Sequence, residues 1–227
     1  MLEQELQWER NLFFFLNGSD SPLWDSFFYF YSYKWTWIPL YLCFLFVFIY
    51  RKRGMEIKND WKEIVWTIVA LILVVTLCDQ IASGIFKPLF QRFRPTHHPD
   101  FQELVKTVYG MREGKYGFAS SHAANIFGLA TFTALLFRNQ LFTFTLFSFA
   151  LITGYSRIYL GVHFISDVVV GALIGILVGY VVYRIYRWKV REIIYPKWKV
   201  YLLCFVYIVT VVVLFIIHYL NQNFHHY

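Results

Sequence analysis

Six long apolar runs limit what this chain can become: roughly Phe27 to Tyr50, Ile64 to Phe86, His122 to Phe137, Leu141 to Tyr159, Phe164 to Tyr186 and Val200 to Leu220. A hydrocarbon layer about 30 Å thick is crossed by about 20 residues of helix. A strand edge or loop at that depth would leave backbone N–H and C=O groups unpaired. The runs therefore predict an all-α integral membrane bundle of about six transmembrane helices, with residues 1–227 forming a single membrane-embedded domain. Composition agrees, because a chain that is 58% hydrophobic and 15% charged has too little polar surface to cover itself in water. Soluble, nucleic-acid-binding and disordered classes are excluded on that ground. The third run is short and the first contains Pro39, so their ends are the least sharply drawn.

At the N-terminus, Glu3, Glu5 and Glu9 precede an apolar cluster at Leu12 to Leu16. A cleavable signal has a basic start and a small-residue cleavage site, so this segment reads instead as an interfacial amphipathic helix. Gly171, Gly175 and Gly179 recur every four residues in the fifth run, a small-residue stripe suited to close helix packing. Cys43, Cys78 and Cys204 each lie inside an apolar stretch without paired spacing and read as packing residues. No internal repeat or low-complexity linker divides the chain.

The net charge of +7 bears on orientation rather than on nucleic acid. With six spans, the first, third and fifth connections share one side. They hold Arg51, Lys52, Arg53, Lys58, Lys62, Arg138, Arg184, Arg187, Lys189, Arg191, Lys197 and Lys199, against the acids Glu56, Asp60, Glu63 and Glu192. The positive-inside bias makes that side cytoplasmic and puts both termini outside. The long second connection, Lys87 to Ser121, also carries Lys87, Arg92, Arg94, Lys106, Arg112 and Lys115, which orientation does not explain.

Three polar clusters interrupt the apolar pattern, and alternating spans bring all three to the outward face. Lys87 to Pro95 closes the second span, Gly117 to His122 opens the third, and Ser156, Arg157, His163 and Asp167 bridge the fourth and fifth. Ionisable groups at membrane depth are costly, so such a convergence reads as a functional site. Two guanidinium groups and an ammonium can hold the oxygens of a phosphate. Ser120 and the backbone N–H groups of Ser120, Ser121 and His122 would sit at a helix N-terminus, which also favours an anion. His163 and Asp167 are four apart, hence on one helical face, and the carboxylate can hold one ring nitrogen while the other attacks. His122 can protonate a leaving oxygen and then activate water.

These residues resemble the type-2 phosphatidic acid phosphatase superfamily, which includes membrane lipid phosphatases. Its K-x6-R-P motif is matched by Lys87, Arg94 and Pro95, and its S-R-x5-H-x3-D motif by Ser156, Arg157, His163 and Asp167. Its P-S-G-H motif is matched only by Ser120 and His122, with Ala119 and Ser121 at the Pro and Gly positions. That departure bears on loop geometry, since Gly allows close backbone approach. The resemblance implies His163 as nucleophile forming a phosphohistidine, Asp167 as its orienter and His122 as general acid and then base. Lys87, Arg94, Ser120, Ser121 and Arg157 would bind phosphoryl oxygens, with no metal and no cofactor.

The expected function is hydrolysis of a membrane lipid phosphate or diphosphate: an isoprenyl diphosphate, phosphatidylglycerol phosphate, phosphatidic acid or a lipid A phosphate. The expected location is the bacterial inner membrane, with the site on the periplasmic or outer face. The alternative class is a non-catalytic membrane protein, either a transporter or a haem protein ligated by His122 and His163. Blander readings stand beside these. Arg92, Lys106, Arg112 and Lys115 can be interfacial anchors or can attract an anionic headgroup. His97 and His98 have Asp100 as their one nearby acid, too few donors for a metal. Trp24, Trp35, Trp37, Trp61, Trp66, Trp188 and Trp198 read as an interfacial belt. His218, His225 and His226 read as tail residues, and Asp79 has no assigned role.

Overall fold

A computed structural model describes residues 7–49, 61–190 and 195–224 of the chain. Outside it lie Glu3, Glu5, Tyr50, Arg51, Lys52, Arg53, Glu56, Lys58, Asp60, Arg191, Glu192, His225 and His226. Helices account for the regular structure: α1 Gln7–Asn17, α2 Pro22–Ser32, α3 Ile38–Ile49, α4 Trp61–Asp79, α5 Lys87–Phe90, α6 Ser121–Phe137, α7 Gln140–Tyr159, α8 Ile165–Lys189 and α9 Lys197–Phe224. The integral membrane character follows from hydropathy carried on helices of sufficient length. The continuous helix Trp61–Phe90 and helices α7, α8 and α9 are each long and apolar enough to cross. With the bent pair α2–α3 counted as one span, the described residues give up to five such spans against the expected six, and α6, the expected third span, is a shorter apolar helix of 17 residues.

Two features depart from simple spans. The first expected span is bent by 69° between α2 and α3. The break comes at Tyr33, not at Pro39, which lies in the first turn of α3 and costs no hydrogen bond there. Side chains take up the freed carbonyls: Thr36 Oγ1 donates to Phe30 O at 2.7 Å and Trp37 Nε1 to Tyr31 O at 2.8 Å. The second span passes from α4 through a π-helical stretch, Gln80–Phe86, into α5. Gln91 then turns left-handed (φ 45°) and ends the helix.

The glycine stripe packs as expected. A Cβ at Gly171, Gly175 or Gly179 would stand 2.3–2.4 Å from the carbonyl oxygen of Ser120, Ala124 or Gly128, so α8 rests directly on the backbone of α6. Trp37, read as part of the interfacial belt, and Lys199, read as part of the fifth connection, are instead internal. Trp37 is buried, edge-on to Phe149 (4.6 Å) and stacked with Tyr207 (5.8 Å). Lys199 is also buried, and its Nζ donates to Val47 O at 2.9 Å, satisfying a carbonyl near the end of α3. Trp24, Trp35, Trp61, Trp66, Trp188 and Trp198 are exposed, as an interfacial belt requires. Cys78 and Cys204 are buried and Cys43 half-buried, all free thiols.

Helix α1 presents an inverted face. Trp8, Leu12 and Phe15 point outward, while Glu9, Phe13 and Asn17, four residues apart, are buried against the bundle. Asn17 Nδ2 donates to Tyr159 O (2.8 Å) and Lys106 O (3.0 Å), and Phe13 lies edge-on to Phe164 at 5.2 Å. The amphipathic N-terminal helix therefore does more than lie at an interface, because its polar face closes one end of the bundle.

Candidate active site

That end is where the three polar clusters meet. Beyond Gln91 the chain runs extended and pairs with the residues leading into α6: Arg94 N donates to Lys115 O at 3.0 Å and Gly117 N to Arg92 O at 2.9 Å. Gly117 is thereby laid against the site. A Cβ there would fall 3.0 Å from Arg94 Cγ, 3.1 Å from Asp167 Oδ2 and 3.5 Å from His163 Nδ1, so any side chain would press on the groups of the site. From the other direction, α7 ends in a tight reversal in which Val162 N and His163 N both donate to Arg157 O. Gly161 in that reversal has φ +75° and packs against Val105 and Lys106 O, and the turn delivers His163 to the first turn of α8. Ser120 caps α6, with its Oγ accepting from Ala123 N at 3.4 Å, while Ser120 N donates to Asp167 O at 3.0 Å.

His163 is fully buried, and its two ring nitrogens face opposite chemistry. Nδ1 lies 3.2 Å from Asp167 Oδ2, and Nε2 lies 2.7 Å from Arg94 Nη1. A guanidinium can only donate and an ionised carboxylate can only accept. The proton therefore sits on Nδ1 and the lone pair on Nε2, toward the arginines, which is the tautomer a nucleophilic imidazole needs. Burial, then Arg94 and Arg157, push the imidazole well below its ordinary pKa, which keeps it neutral.

Arg94 and Arg157 share one carboxylate. Glu113, on the connection into α6, lies 3.0 Å from Arg94 Nη1 through Oε2 and bonds Arg157 Nη2 through Oε1. Burial opposes ionisation of Glu113, but Arg157 and Arg94 hold its pKa down to about 2. Arg157 also reaches Ser32 Oγ, and Arg94 donates to Val162 O at 2.8 Å. The Nε atoms of both buried arginines have no hydrogen-bond partner, so each retains an N–H for a further acceptor. An anion pocket beside His163 Nε2 is thus built, and a side chain of the chain itself sits in it.

Among the other expected site residues, His122 has an exposed side chain in the first turn of α6, within electrostatic reach of Arg157, Glu113, Arg94 and Lys87. Ser121 beside it is half-buried. Lys87 Nζ donates to Ser83 Oγ at 3.0 Å, and that hydroxyl donates to Asp79 Oδ1 at 3.3 Å. Asp79 thus gains a role, holding Lys87 through Ser83 across the π-helical stretch. His98 stacks on Phe101 (3.9 Å) and His97 Nδ1 lies 3.2 Å from Thr96 Oγ1. Among the described residues no three His, Cys, Asp or Glu side chains are grouped to hold a metal.

Glu113, and the places of Arg92, Glu9 and Gly117 in the site, are not among the expectations from sequence. Arg92, expected as an interfacial anchor or an attractor of an anionic headgroup, is instead drawn inside, 3.0 Å from Asp167 Oδ1 and 2.9 Å from Glu9 Oε2. Lys106 is likewise committed, to Asp25 at 2.7 Å. A signal for Arg92 did exist: in an extended segment it shares a face with Arg94, two residues on. Glu113 carried none, because it belongs to no motif.

A helical membrane bundle with a buried imidazole–carboxylate pair and an arginine-lined anion pocket at one end defines a class of membrane phosphoryl-group enzyme. The sequence model of the PAP2 superfamily matches residues 63–191, and the chain belongs to that family. It is a phosphoric ester hydrolase acting on lipids. The chain is 49% identical to the lipid A 4'-phosphatase of Porphyromonas gingivalis over 185 residues, covering 82% of this chain and 75% of that protein. It is 36% identical to the lipid A 4'-phosphatase of Bacteroides thetaiotaomicron over 179 residues, covering 78% and 76%. The crystal structure of Aquifex aeolicus LpxE superposes with a TM-score of 0.54 at 27% identity, over 81% of this chain and 99% of that one. A transmembrane PAP2-type phosphatidylglycerolphosphate phosphatase from Bacillus subtilis gives 0.62 at 19% identity, over 84% and 90%, a likeness of fold.

Proposed function

We propose that this chain is a lipid A 4'-phosphatase working through a phosphohistidine on His163, without a metal. The observation that carries the mechanism is the Glu113 carboxylate shared by Arg94 and Arg157 beside His163 Nε2. A carboxylate with two oxygens on two guanidinium groups is a small-scale stand-in for a phosphoryl group. The choice of lipid A among the lipid phosphates rests on the two relatives named above.

In this reading a substrate phosphoryl group displaces Glu113 and takes the N–H groups of Arg94 and Arg157, with Lys87 adding charge and the α6 N-terminus at Ser120 and Ser121 adding backbone donors. The Nε2 lone pair of His163 attacks phosphorus, and the bond to the sugar oxygen breaks as that oxygen takes a proton from the His122 imidazolium. Asp167 stabilises the charge that develops on His163 through Nδ1–H. Neutral His122 then takes a proton from water, the hydroxide oxygen bonds to phosphorus, and the P–N electron pair returns to His163. The cationic side chains neutralise the phosphoryl charge throughout, which is the service a metal would otherwise give. The bias of Arg184, Arg187, Lys189 and Lys197 toward the opposite end of the bundle supports a site on the periplasmic face of an inner membrane.

The test is phosphate release from purified lipid A, phosphatidylglycerol phosphate, phosphatidic acid and an isoprenyl diphosphate in detergent. Lipid A should turn over fastest, His163→Ala should abolish release, and acid quenching should trap an acid-labile phosphoenzyme in the wild type alone. Preference for another lipid overturns the substrate. Full activity of His163→Ala overturns the nucleophile, and a strict need for added divalent ion overturns the metal-free mechanism.

A further inference from the structure

Helix α1 reaches the candidate nucleophile through two buried ion pairs that the proposed chemistry does not use. Arg92 Nη1 donates to Asp167 Oδ1 at 3.0 Å and also meets Ser166 Oγ. Its Nη2 donates to Glu9 Oε2 at 2.9 Å, and its guanidinium lies over the Phe164 ring, 4.4 Å from the centroid. The other oxygen of Glu9 accepts from Ser166 N at 2.8 Å, in the first turn of α8. Glu9 is 5% exposed and Asp167 0%.

The two oxygens of Asp167 are therefore held separately. Oδ2 takes His163 Nδ1 and Phe164 N (3.0 Å), and Oδ1 takes Arg92. Arg92 and Arg94 leave the same face of an extended segment and straddle the pair, Arg94 at the reactive nitrogen and Arg92 at the far carboxylate oxygen. Charges alternate along the line Glu9, Arg92, Asp167, which ends on the neutral imidazole of His163. A buried Arg–carboxylate contact of this kind locks carboxylate rotation and keeps the group ionised.

We propose that Arg92 is a positioning residue for the Asp167–His163 pair, with Glu9 as its anchor, so that helix α1 is part of the catalytic apparatus. The proposal rests on the reading of His163 as nucleophile. Arg92 acts by fixing the direction and charge of Asp167. Glu9 tempers the positive charge that Arg92 presents and ties it to the start of α8.

Opposite effects of the two charges separate this from a merely structural role. Neutralising Arg92 makes Asp167 more basic, and the imidazole it faces then holds a proton to higher pH. Neutralising Glu9 leaves Arg92 less compensated and acts in the other direction. The remaining charges facing His163, namely Arg94, Arg157, Glu113 and His122, are the same in both variants and cancel from the comparison.

The experiment is the pH dependence of kcat/KM and kcat for wild type, Arg92→Gln, Arg92→Lys and Glu9→Gln, assayed as full-length protein in detergent on a common lipid phosphate. Arg92→Gln should lower kcat about 10- to 100-fold, the range seen when the partner that orients a metal-bound imidazole is removed. KM should stay nearly unchanged, and the acid limb should move to higher pH. Arg92→Lys should recover part of kcat, and Glu9→Gln should move the acid limb to lower pH. If Arg92→Gln raises KM instead, Arg92 binds the phosphoryl group and the proposal fails. It fails too if both neutral variants shift the limb in the same direction or leave it in place. Should Arg92→Gln not fold, Arg92→Lys with unchanged kcat, or Glu9→Gln with an unmoved limb, overturns it equally. His163→Ala, run in parallel, isolates the premise: activity in that variant would sink the nucleophile reading, whatever Arg92 does.

Discussion

Glu113 occupies the pocket in which substrate phosphate is expected to bind, so it should compete with phosphate. Replacing it with Gln removes the charge and leaves Arg94 and Arg157 short of a counter-ion. A hydrogen bond to a charged group is worth about 1.5–3 kcal/mol. Inhibition by inorganic phosphate should therefore tighten on the order of tenfold in Glu113→Gln, measured as Ki. The same variant should unfold at lower temperature at pH 7, and millimolar phosphate should restore more of that loss than it adds to the wild type. The pH sign follows from a carboxyl held at about 2 against an ordinary 4.5. The stabilisation is complete above pH 4.5 and fades as pH falls toward about 2, so the two melting curves should converge in that window. At Asp167, exchange for Asn should cut kcat through the wrong imidazole tautomer, by up to about 10⁴, the loss that the wrong tautomer causes in a better-known triad. Arg94→Lys should also be damaging, because an ammonium offers no planar fork to the phosphoryl oxygens.

At the level of elements, the site depends on two helices held at unusually short range. Helix α6 carries Ser120 to His122 at its start, and α8 carries Asp167 in its first turn, so any change in their spacing is felt at the pocket. Gly175→Ala would place its Cβ 2.3 Å from Ala124 O, backbone that cannot swing aside. Overpacking of that kind costs about 1–3 kcal/mol. A lower melting temperature with parallel loss of kcat is expected, against little change for Ala at the open position Gly114. The π-helical stretch in the second span is also informative. Such insertions tend to lie at functional sites, and this one contains Ser83, the link between Asp79 and Lys87.

For the whole molecule, orientation is the property that decides which leaflet supplies substrate. Arg112 is exposed on the connection that carries Glu113, and Trp188 is exposed near the opposite end, in the last turn of α8. In a background lacking the three native thiols, Arg112→Cys should react with an impermeant maleimide from outside intact spheroplasts, and Trp188→Cys only after lysis. The reverse pattern would place the site toward the cytoplasm.

The lipid-facing helices, the glycine stripe and the residues His163, Asp167, Arg94 and Arg157 could be read from sequence because each rests on a local rule. A span must satisfy its own backbone within about 20 residues, and a motif fixes spacing along one stretch of chain. The bend at Tyr33, the burial of Trp37 and Lys199, and the placing of Glu113 and Glu9 obey no such rule. Glu9 meets a residue 157 positions away, and Glu113 reaches Arg157 across 44. Nothing periodic connects those positions. Which charge neutralises which was decided only when α1, α6, α7 and α8 came to share one end of the bundle, where a buried ion cannot remain without a partner.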